Sequence, residues 1–355
     1  MTAKPRSERP ILITGGAGFI GSNLAHWLAR GGATVRVLDD LSRPGVERNL
    51  GWLSAEHGPR IDVRISDVRD RLAVREAVRG VATVFHIAGQ TAVTASLVDP
   101  RHDFSVNAAG TLEILEAIRA EPEPPALIYA STNKVYGCLT ELPLRLEAGR
   151  WRPVDELLAT RGIDEQRPLA FRTPYGCSKG AADQYVLDYA RSFQLPAAVF
   201  RMSCIYGPRQ FGTEDQGWLA HFLIRAIDGA PITIYGDGRQ VRDVLFIDDL
   251  VDALLRAANQ ITQLRGRVFN IGGGPSNTLS LLELIALIAQ LRGRPPELSY
   301  EDWREADQRY YVSDTHAFTS ATGWTPRISP RTGVEALYGW LLDRDARLTR
   351  GHHDS

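Results

Sequence analysis

The sequence predicts an α/β fold in which helices cover both faces of a doubly wound parallel sheet. Short β-branched runs alternate with longer helical patterns up to about residue 205, and a glycine-rich segment follows the first run. Strands are predicted at 11–14, 35–39, 61–66, 81–87, 126–131 and 197–202, and helices near 19–30, 70–79, 106–120 and 175–193. Because strands that alternate with helices usually pair in parallel, we expect one parallel sheet.

The second part of the chain predicts a smaller, mixed α/β region. Its predicted helices are near 217–228, 248–260, 279–292 and 331–343, and its predicted strands are 232–235 and 268–271. We therefore expect a first domain over 1–205, a second region over 206–345 interwoven with it, and a tail over 346–355. The proline-bearing and charged segment 138–172 interrupts the first domain. A segment of this length either covers a site or decorates the surface.

Composition excludes several classes of function. The 355 residues are 44% hydrophobic and 23% charged with a net charge of −1, so we expect a globular protein without a nucleic-acid or membrane partner. The first ten residues are polar and do not resemble a signal peptide. Cys138, Cys177 and Cys204 are too few for a disulfide framework or a metal site, so the expected location is the cytoplasm. We interpret His352 and His353 as part of a polar tail.

The segment 11–21 has the features of a dinucleotide-binding turn. An apolar run ends in Gly15, Gly18 and Gly21, and a helical pattern follows. Glycine allows a sharp turn and lets a pyrophosphate approach the main chain, while the helix N-terminus offers free N–H groups. Asp39 ends the next strand about 20 residues later, where a carboxylate binds ribose hydroxyls and repels a 2′-phosphate. These features predict a Rossmann-type sheet and NAD, although Arg43 could meet the phosphate of NADP.

The ends of later strands carry candidate catalytic groups. Ser131 and Thr132 follow the strand 126–131, and Tyr175 and Lys179 begin the next helix. One helical turn separates Tyr175 from Lys179, so the ammonium group can lie beside the phenol and lower its pKa. The hydroxyl of Thr132 could hold the same substrate oxygen. Further candidates at strand ends are Asp67, Val68, Ala88, Gly89 and Gln90.

The chain resembles the extended short-chain dehydrogenase/reductase family of nucleotide-sugar epimerases and dehydratases over nearly its whole length. The matching segments are Gly15-x-x-Gly18-x-x-Gly21, Asp39-Asp40-Leu41-Ser42-Arg43, Asn107-x-x-Gly-Thr111, Ser131-Thr132, Tyr175-x-x-x-Lys179, Tyr206-Gly-Pro-Arg209, Arg242-Asp243, Asn270-Ile-Gly-Gly and Arg304-x-x-Asp307. The resemblance implies an NAD-dependent enzyme that acts on a nucleotide-diphosphate sugar. It also implies a homodimer or tetramer built on the helices near 106–120 and 175–193, which carry more apolar residues than one sheet face needs.

The resemblance further implies a role for each candidate residue. Tyr175 is the acid/base, Lys179 holds the nicotinamide ribose and lowers the tyrosine pKa, and Thr132 binds the reacting hydroxyl. The implied cofactor-binding residues are Gly15, Gly18, Phe19, Ile20, Asp39, Asp40, Ser42, Arg43, Asp67, Val68, Ala88, Gly89, Gln90, Asn107, Ser131, Tyr175 and Lys179. The implied substrate-binding residues are Thr132, Asn133, Lys134, Cys204, Arg209, Trp218, Tyr235, Arg242, Arg304 and Asp307, with Arg242 and Arg304 on the pyrophosphate.

Within the family, several segments are similar to those of members that epimerise C2 of a CDP-sugar. These segments are 131–137, 174–185, 206–218 and the insert 138–172. Dehydratases carry Asp-Glu after the threonine, so Asn133 and Lys134 argue against dehydration, and Cys204 stands where many relatives have Asn. The implied reaction removes a hydride to NAD and returns it to the opposite face of a transient ketone. A C4-epimerase or reductase of another nucleotide sugar, and an NAD-binding regulator without turnover, remain alternatives.

Overall fold

The computed structural model describes residues 8–351, and its largest element is a parallel sheet of seven strands. The strands, in chain order, are β1 (Ile11–Thr14), β2 (Val35–Asp39), β3 (Ile61–Ile65), β4 (Thr83–His86), β5 (Ala126–Thr132), β6 (Leu144–Glu147), β7 (Arg150–Pro153), β8 (Ala197–Met202), β9 (Cys204–Tyr206), β10 (Ile232–Tyr235), β11 (Val241–Phe246), β12 (Val268–Ile271), β13 (Thr278–Ser280), β14 (Leu298–Glu301) and β15 (Tyr310–Tyr311). The sheet order is β12-β8-β5-β4-β1-β2-β3. The predicted doubly wound parallel sheet is confirmed, and the strand order reverses beside β1.

Helices cover both faces of this sheet. They are α1 (Phe19–Arg30), α2 (Val46–His57), α3 (Arg71–Val78), α4 (Val93–Val98), α5 (Pro100–Phe104), α6 (Gly110–Arg119), α7 (Glu156–Arg161), α8 (Thr173–Ser192), α9 (Trp218–Ile227), α10 (Ile247–Asn259), α11 (Ile261–Leu264), α12 (Leu281–Arg292), α13 (His316–Thr322) and α14 (Pro330–Gly351). Successive strand residues point to opposite faces. Ile13 and Ile128 therefore join one buried core, whereas Leu12 and Leu127 join the other.

The main sheet takes one strand from the second predicted region. The strand predicted over 268–271 is β12, which pairs in parallel with β8 from Val268 opposite Val199 to Ile271 opposite Met202. It is therefore the seventh strand of the main sheet rather than part of a separate unit. Helix α10 also packs against α1 and β5. The two predicted regions consequently share one sheet and one of its cores.

The second region is held around β11, a strand that the sequence did not predict. This strand pairs in parallel with β9 and with β15, and it pairs antiparallel with β13. The register places Arg242 opposite Leu279 and Tyr311. A separate parallel pair joins β10 to β14. These pairings bring Arg242 to the rim of the main sheet beside the chain that follows β8.

The insert 138–172 contains a hairpin of β6 and β7 followed by α7. The backbone N–H of Trp151 donates to the carbonyl of Arg239 over 3.1 Å, and that of Ile163 donates to the carbonyl of Val312 over 2.7 Å. The insert therefore packs on the second region, near β11 and β15. It has regular structure where the sequence predicted an irregular segment.

The C-terminal helix is longer than the predicted helix over 331–343. It extends from Pro330 to Gly351, so residues 346–351 are helical where the sequence predicted a tail. Residues 352–355, with His352 and His353, lie outside the described residues. Within 8–351, no helix is both long and apolar enough to cross a membrane. The same part of the chain holds no cluster of three or more His, Cys, Asp or Glu residues suited to a metal ion.

Candidate active site

The turn between β1 and α1 leaves its main chain open to a ligand. Gly15 has φ +68°, and a Cβ there would lie 2.8 Å from the backbone nitrogen of Ala88. A Cβ on Gly21 would collide with the carbonyl oxygen of Gly15, so helix and turn need glycine to pack this closely. No side chain caps α1 at Gly18, and its first N–H groups remain available for an anion. This arrangement fits a pyrophosphate.

Asp39 lies beside this turn at the end of β2. Its Oδ2 accepts a hydrogen bond from the backbone N–H of Ala17 and its Oδ1 accepts one from Leu41, both over 2.9 Å. Burial raises the pKa of Asp39, and these two N–H groups oppose the rise. The carboxylate is therefore oriented next to the turn, where the adenosine ribose of NAD would need it.

The residues after Asp39 connect the loop that follows β2 to the loop that follows β4. Asp40 is exposed, and its Oδ1 accepts hydrogen bonds from the backbone N–H and the hydroxyl of Ser42. Arg43 extends to the loop after β4 and donates to Thr91 Oγ1 over 3.3 Å. The guanidinium of Arg43 is thus directed at Thr91.

Other predicted cofactor residues have side chains that already make contacts within the protein. Asp67 forms an ion pair with Arg69, and Val68 is buried in the core beneath the α6 face of the sheet. Phe19 and Ile20 are half-buried and pack against the opposite core from the first turn of α1. These positions remain predicted cofactor contacts.

Asn107 lies at the centre of a polar cluster behind the loop after β4. It belongs to a π-helical turn over Ser105–Ala109, where the sequence predicted regular helix. Its Nδ2 donates over 3.1 Å to the carbonyl of Gln90, to Asp103 and to the hydroxyl of Ser178. Its Oδ1 is buried without a hydrogen-bond partner and faces Gly89, since a Cβ on Gly89 would lie 2.9 Å away. An unpaired buried acceptor beside the predicted cofactor site supports ligand or water binding there.

A buried histidine beneath the site was not predicted from the sequence. His86 Nδ1 lies 2.7 Å from Thr14 Oγ1, and its Nε2 lies 3.0 Å from Thr111 Oγ1. Burial and the charge of Lys179 lower the pKa of His86 to about 3, so the imidazole is neutral. This neutral link joins the end of β1 to α6. A histidine within a buried strand is the signal that could have revealed it.

Lys179 reaches the end of β5 from the second turn of α8. Its Nζ donates to the carbonyl of Ala130 over 2.6 Å and lies 4.4 Å from the ring centroid of Tyr129. Burial lowers the pKa of Lys179 to about 7, and the charges of Asp183 and Asp103 oppose that fall. The lysine is also close to the loop after β4, where the cofactor ribose is predicted.

Tyr175 is buried at the start of α8 and lies close enough to Thr132 for that side chain to act on its pKa. Burial raises the pKa of Tyr175 to about 12, Thr132 lowers it, and Asp103 raises it. In the protein alone the ammonium of Lys179 is directed at Ala130, so its effect on the pKa of Tyr175 stays a prediction. The side chains of Tyr175 and Thr132 are neighbours, and their shared contact with a substrate oxygen stays a prediction.

Ser131 faces away from the predicted cofactor. Its hydroxyl donates to Asp183 over 2.8 Å, and two guanidinium nitrogens of Arg201 donate to the same carboxylate over 2.9 Å each. Arg201 also contacts the hydroxyl of Tyr136 over 3.1 Å. The side chain of Ser131 is therefore structural, and only its main chain remains for a cofactor contact. An arginine within the apolar strand β8 was the signal for this unpredicted cluster.

An open cavity of about 240 Å³ lies between the main sheet and the second region. It is lined by seven of the ten predicted substrate residues: Lys134, Cys204, Trp218, Tyr235, Arg242, Arg304 and Asp307. Thr132 and Asn133 directly precede Lys134, and the Oγ1 of Thr132 accepts from the backbone N–H of Lys134 over 3.2 Å. None of the cavity's lining residues belongs to the insert 138–172.

Two cations and one carboxylate meet at the inner wall of the cavity. Arg242 donates to Asp307 Oδ1 over 2.6 Å, and Lys134 Nζ lies 4.0 Å from the same oxygen. Burial alone would raise the pKa of Asp307, but the charges of Arg242 and Lys134 hold it below its usual value. Burial lowers the pKa of Lys134. This group carries net positive charge and suits a diphosphate.

The outer wall of the cavity combines aromatic and charged groups. The guanidinium of Arg304 lies 3.9 Å from the ring centroid of Tyr235, and Arg304 donates to the carbonyl of Glu214 over 2.8 Å. The hydroxyl of Tyr235 donates to the Glu214 carboxylate. Trp218 Nε1 lies 3.5 Å from the sulfur of Cys204, whose thiol pKa is raised by burial.

Arg209 is not among the residues that line this cavity, and its role in substrate binding stays a prediction. Its φ of +70° turns the chain, and its guanidinium lies 3.0 Å from the ring centroid of Trp52 on α2. Asn49 donates to its carbonyl over 3.2 Å. The aromatic ring on α2 therefore fixes the arginine on the cofactor domain, away from Arg242.

Comparison with known proteins identifies the family. The family model described as "NAD dependent epimerase/dehydratase family" matches residues 11–272. A CDP-paratose 2-epimerase of Salmonella typhi is 42% identical over 337 residues, which are 93% of this chain and 98% of that protein.

The chain belongs to the NAD-dependent epimerase/dehydratase family. The predicted family, enzyme class and NAD dependence are thereby confirmed. A UDP-glucose 4-epimerase of Thermus thermophilus, solved with NAD, has TM-score 0.78 and 29% identity over 93% of this chain and 98% of that one. A UDP-glucuronic acid 4-epimerase of Bacillus cereus, solved with UDP-glucuronic acid and NAD, has TM-score 0.80 and 25% identity over 94% and 99%.

The carboxylate of Asp39 leads us to predict a strong preference for NAD over NADP. The wild-type protein should bind NAD at least about tenfold more tightly, because a 2′-phosphate would meet the oriented carboxylate. Asp39→Ser should lower the ratio of NAD affinity to NADP affinity, both measured by calorimetry on protein stripped of nucleotide. Asp188→Ser is the matched control, since Asp188 is an exposed carboxylate on α8 outside the predicted cofactor contacts. Equal wild-type affinities would contradict the prediction.

Proposed function

We propose that the chain is a CDP-paratose 2-epimerase, which inverts C2 of the CDP-linked sugar and so interconverts it with CDP-tyvelose. The observation that carries the proposal is the convergence of Thr132 and Tyr175 at the end of β5 with a cavity that holds Lys134. The similarity to the Salmonella enzyme along nearly its full length supports the CDP-sugar and the C2 position. We also propose a cytoplasmic location, which suits three free cysteines.

The proposed chemistry assigns the proton to Tyr175. NAD, when bound, supplies a hydride acceptor and later a hydride donor. Thr132 holds the reacting hydroxyl, and deprotonated Tyr175 takes its proton as C2 becomes a ketone. Tyr175 returns the proton to the same oxygen after the hydride has been added to the opposite face. With a pKa of about 12 for the protein alone, the phenol requires an added positive charge nearby to act near neutral pH.

The cavity can retain the ketone intermediate, as this reaction requires. The ketone must turn over between the two hydride steps without leaving, and its diphosphate is the group by which the protein can hold it. Buried Arg242 and partly buried Lys134 provide two cations for that purpose. In place of an acidic pair after Thr132, the chain has an amide and an ammonium, which supports epimerisation over loss of water.

The proposal is tested with purified protein and CDP-paratose deuterated at C2. We expect inversion at C2 by NMR, with the label retained at C2 and no deuterium taken up from D₂O in a parallel unlabelled reaction. UDP-glucose serves as a second substrate. Inversion at C4, or net accumulation of reduced cofactor with either substrate, would favour a 4-epimerase or a reductase, and no turnover of any nucleotide sugar would favour a regulator.

We also propose a homo-oligomer, because exposed apolar side chains lie on three helices that pack together. Val98 on α4, Phe104 on α5 and Tyr185 on α8 are 87%, 58% and 53% exposed, and α8 packs on both shorter helices. Sedimentation at micromolar concentration should show a dimer or tetramer, and Tyr185→Glu should weaken it. Leu72→Glu on α3 is the control at another exposed apolar position. A wild-type monomer would contradict the proposal.

A further inference from the structure

A short loop before α9 holds Gln216 rigidly at the cavity. Thr213 and Gln216 exchange two backbone hydrogen bonds, of 2.9 and 3.2 Å. Gly217 then adopts φ +80°, and α9 begins at the next residue. The position of the Gln216 backbone is therefore set on both sides by main-chain geometry.

The side chain of Gln216 has an unused acceptor. It lines the cavity, and its Oε1 is buried without a hydrogen-bond partner. A buried acceptor left unpaired is costly, so its presence in a ligand cavity indicates a donor on the ligand. Glu214 and Asp215 line the same wall, and their carboxylates can only accept. The Glu214 carboxylate already accepts from Tyr235, so Gln216 Oε1 is the acceptor of this loop that lacks a partner.

The position of this loop indicates which part of a nucleotide sugar it would meet. Lys134 follows Thr132 and Asn133, so the cavity end at Lys134 adjoins the reacting sugar. Arg242 and Lys134 suit the diphosphate. The remaining wall, which consists of the loop, Tyr235 and Arg304, would then contact the nucleoside.

Resting on the function proposed above, we propose that Gln216 reads the nucleobase and selects an amino-pyrimidine over an oxo-pyrimidine. Cytosine carries an exocyclic amine at position 4, which can donate to Gln216 Oε1. Uracil carries a carbonyl oxygen at the same position, which has no hydrogen to donate to Gln216 Oε1 in the orientation that the structure gives the amide. A buried polar group that one base satisfies and the other leaves without a hydrogen bond gives large discrimination between the two bases.

The test measures binding of CDP and of UDP to the NAD-loaded protein by calorimetry. The wild-type protein should bind CDP about tenfold or more tightly than UDP, as expected for one unpaired polar contact. Gln216→Leu should reduce the CDP-to-UDP affinity ratio by threefold or more. Gln216→Glu keeps an acceptor and removes the donor, so it should keep the preference for CDP. Gln263→Leu, the same exchange at an exposed position outside the cavity, should leave the ratio unchanged.

Two results would overturn the inference. One is a wild-type protein that does not prefer CDP, and the other is a Gln216→Leu protein whose ratio falls by less than threefold. Thermal melting with NAD verifies that each variant is folded. Failure of the inference leaves the proposed reaction intact if CDP-paratose is still inverted at C2. Conversely, a ratio that changes as expected supports base reading even if inversion occurs at another carbon.

Discussion

Tyr175→Phe should lower turnover by about 10²–10⁴-fold, the range associated with loss of a general acid–base group. The phenylalanine keeps the buried aromatic ring and removes only the hydroxyl that meets Thr132. NAD affinity should remain near the wild-type value, because the glycine turn and Asp39 are unchanged. Turnover is followed by NMR on the nucleotide sugar, and NAD binding is followed by calorimetry.

Lys179→Ala provides the contrasting variant for this prediction. It removes the ammonium that donates to Ala130 and that lies next to the loop after β4. We expect it to lower both turnover and NAD affinity, whereas Tyr175→Phe lowers turnover alone. Near-native epimerisation by Tyr175→Phe on the true substrate would remove the phenol from the mechanism and make its burial structural.

The sequence predicted the parts of the fold that depend on local pattern. Strands such as β1 and β8 and helices such as α1 agree with the predicted bounds because an apolar run or a 3.6-residue period defines them. β11 was missed although all six of its residues are buried. Its sequence contains Arg242 and Asp243, whose partners come from distant segments, so no local alternation of apolar and polar residues marks it.

Sequence motifs at strand ends predicted part of the site. The sequence does not predict which distant residues a site side chain contacts. Thr132 and Tyr175 are neighbours in the structure, because parallel strands and their following helices converge at one sheet edge. Arg209 was assigned to the substrate from its motif, yet Trp52 on a helix that was not predicted captures its guanidinium. Lys179 and Tyr175 share a helix face, but the carbonyl of Ala130 on a different element takes the ammonium.

The ion pair beneath the catalytic helix should be essential for stability. Asp183 is 0% and Arg201 is 3% exposed, and their bidentate contact ties α8 to β8 while Ser131 ties it to β5. Asp183→Leu would leave the guanidinium buried with an uncompensated charge. Removal of one partner of such a pair typically costs about 3–5 kcal/mol in the free energy of unfolding. Denaturant unfolding at fixed NAD concentration measures the loss.

The double variant Asp183→Leu/Arg201→Met separates the buried charge from the lost contact. Replacing both partners by apolar side chains leaves no unpaired charge, so the double variant should be more stable than Asp183→Leu alone. Asp183 lies eight residues after Tyr175 on α8, so Asp183→Leu should also lower turnover through displacement of the phenol. Equal destabilisation by the single and double variants would show that shape and hydrogen bonding, rather than an unpaired charge, govern this site. The double variant should recover stability relative to Asp183→Leu but should not recover turnover. Ser131 would still lack its acceptor, and α8 would still lack its link to β5.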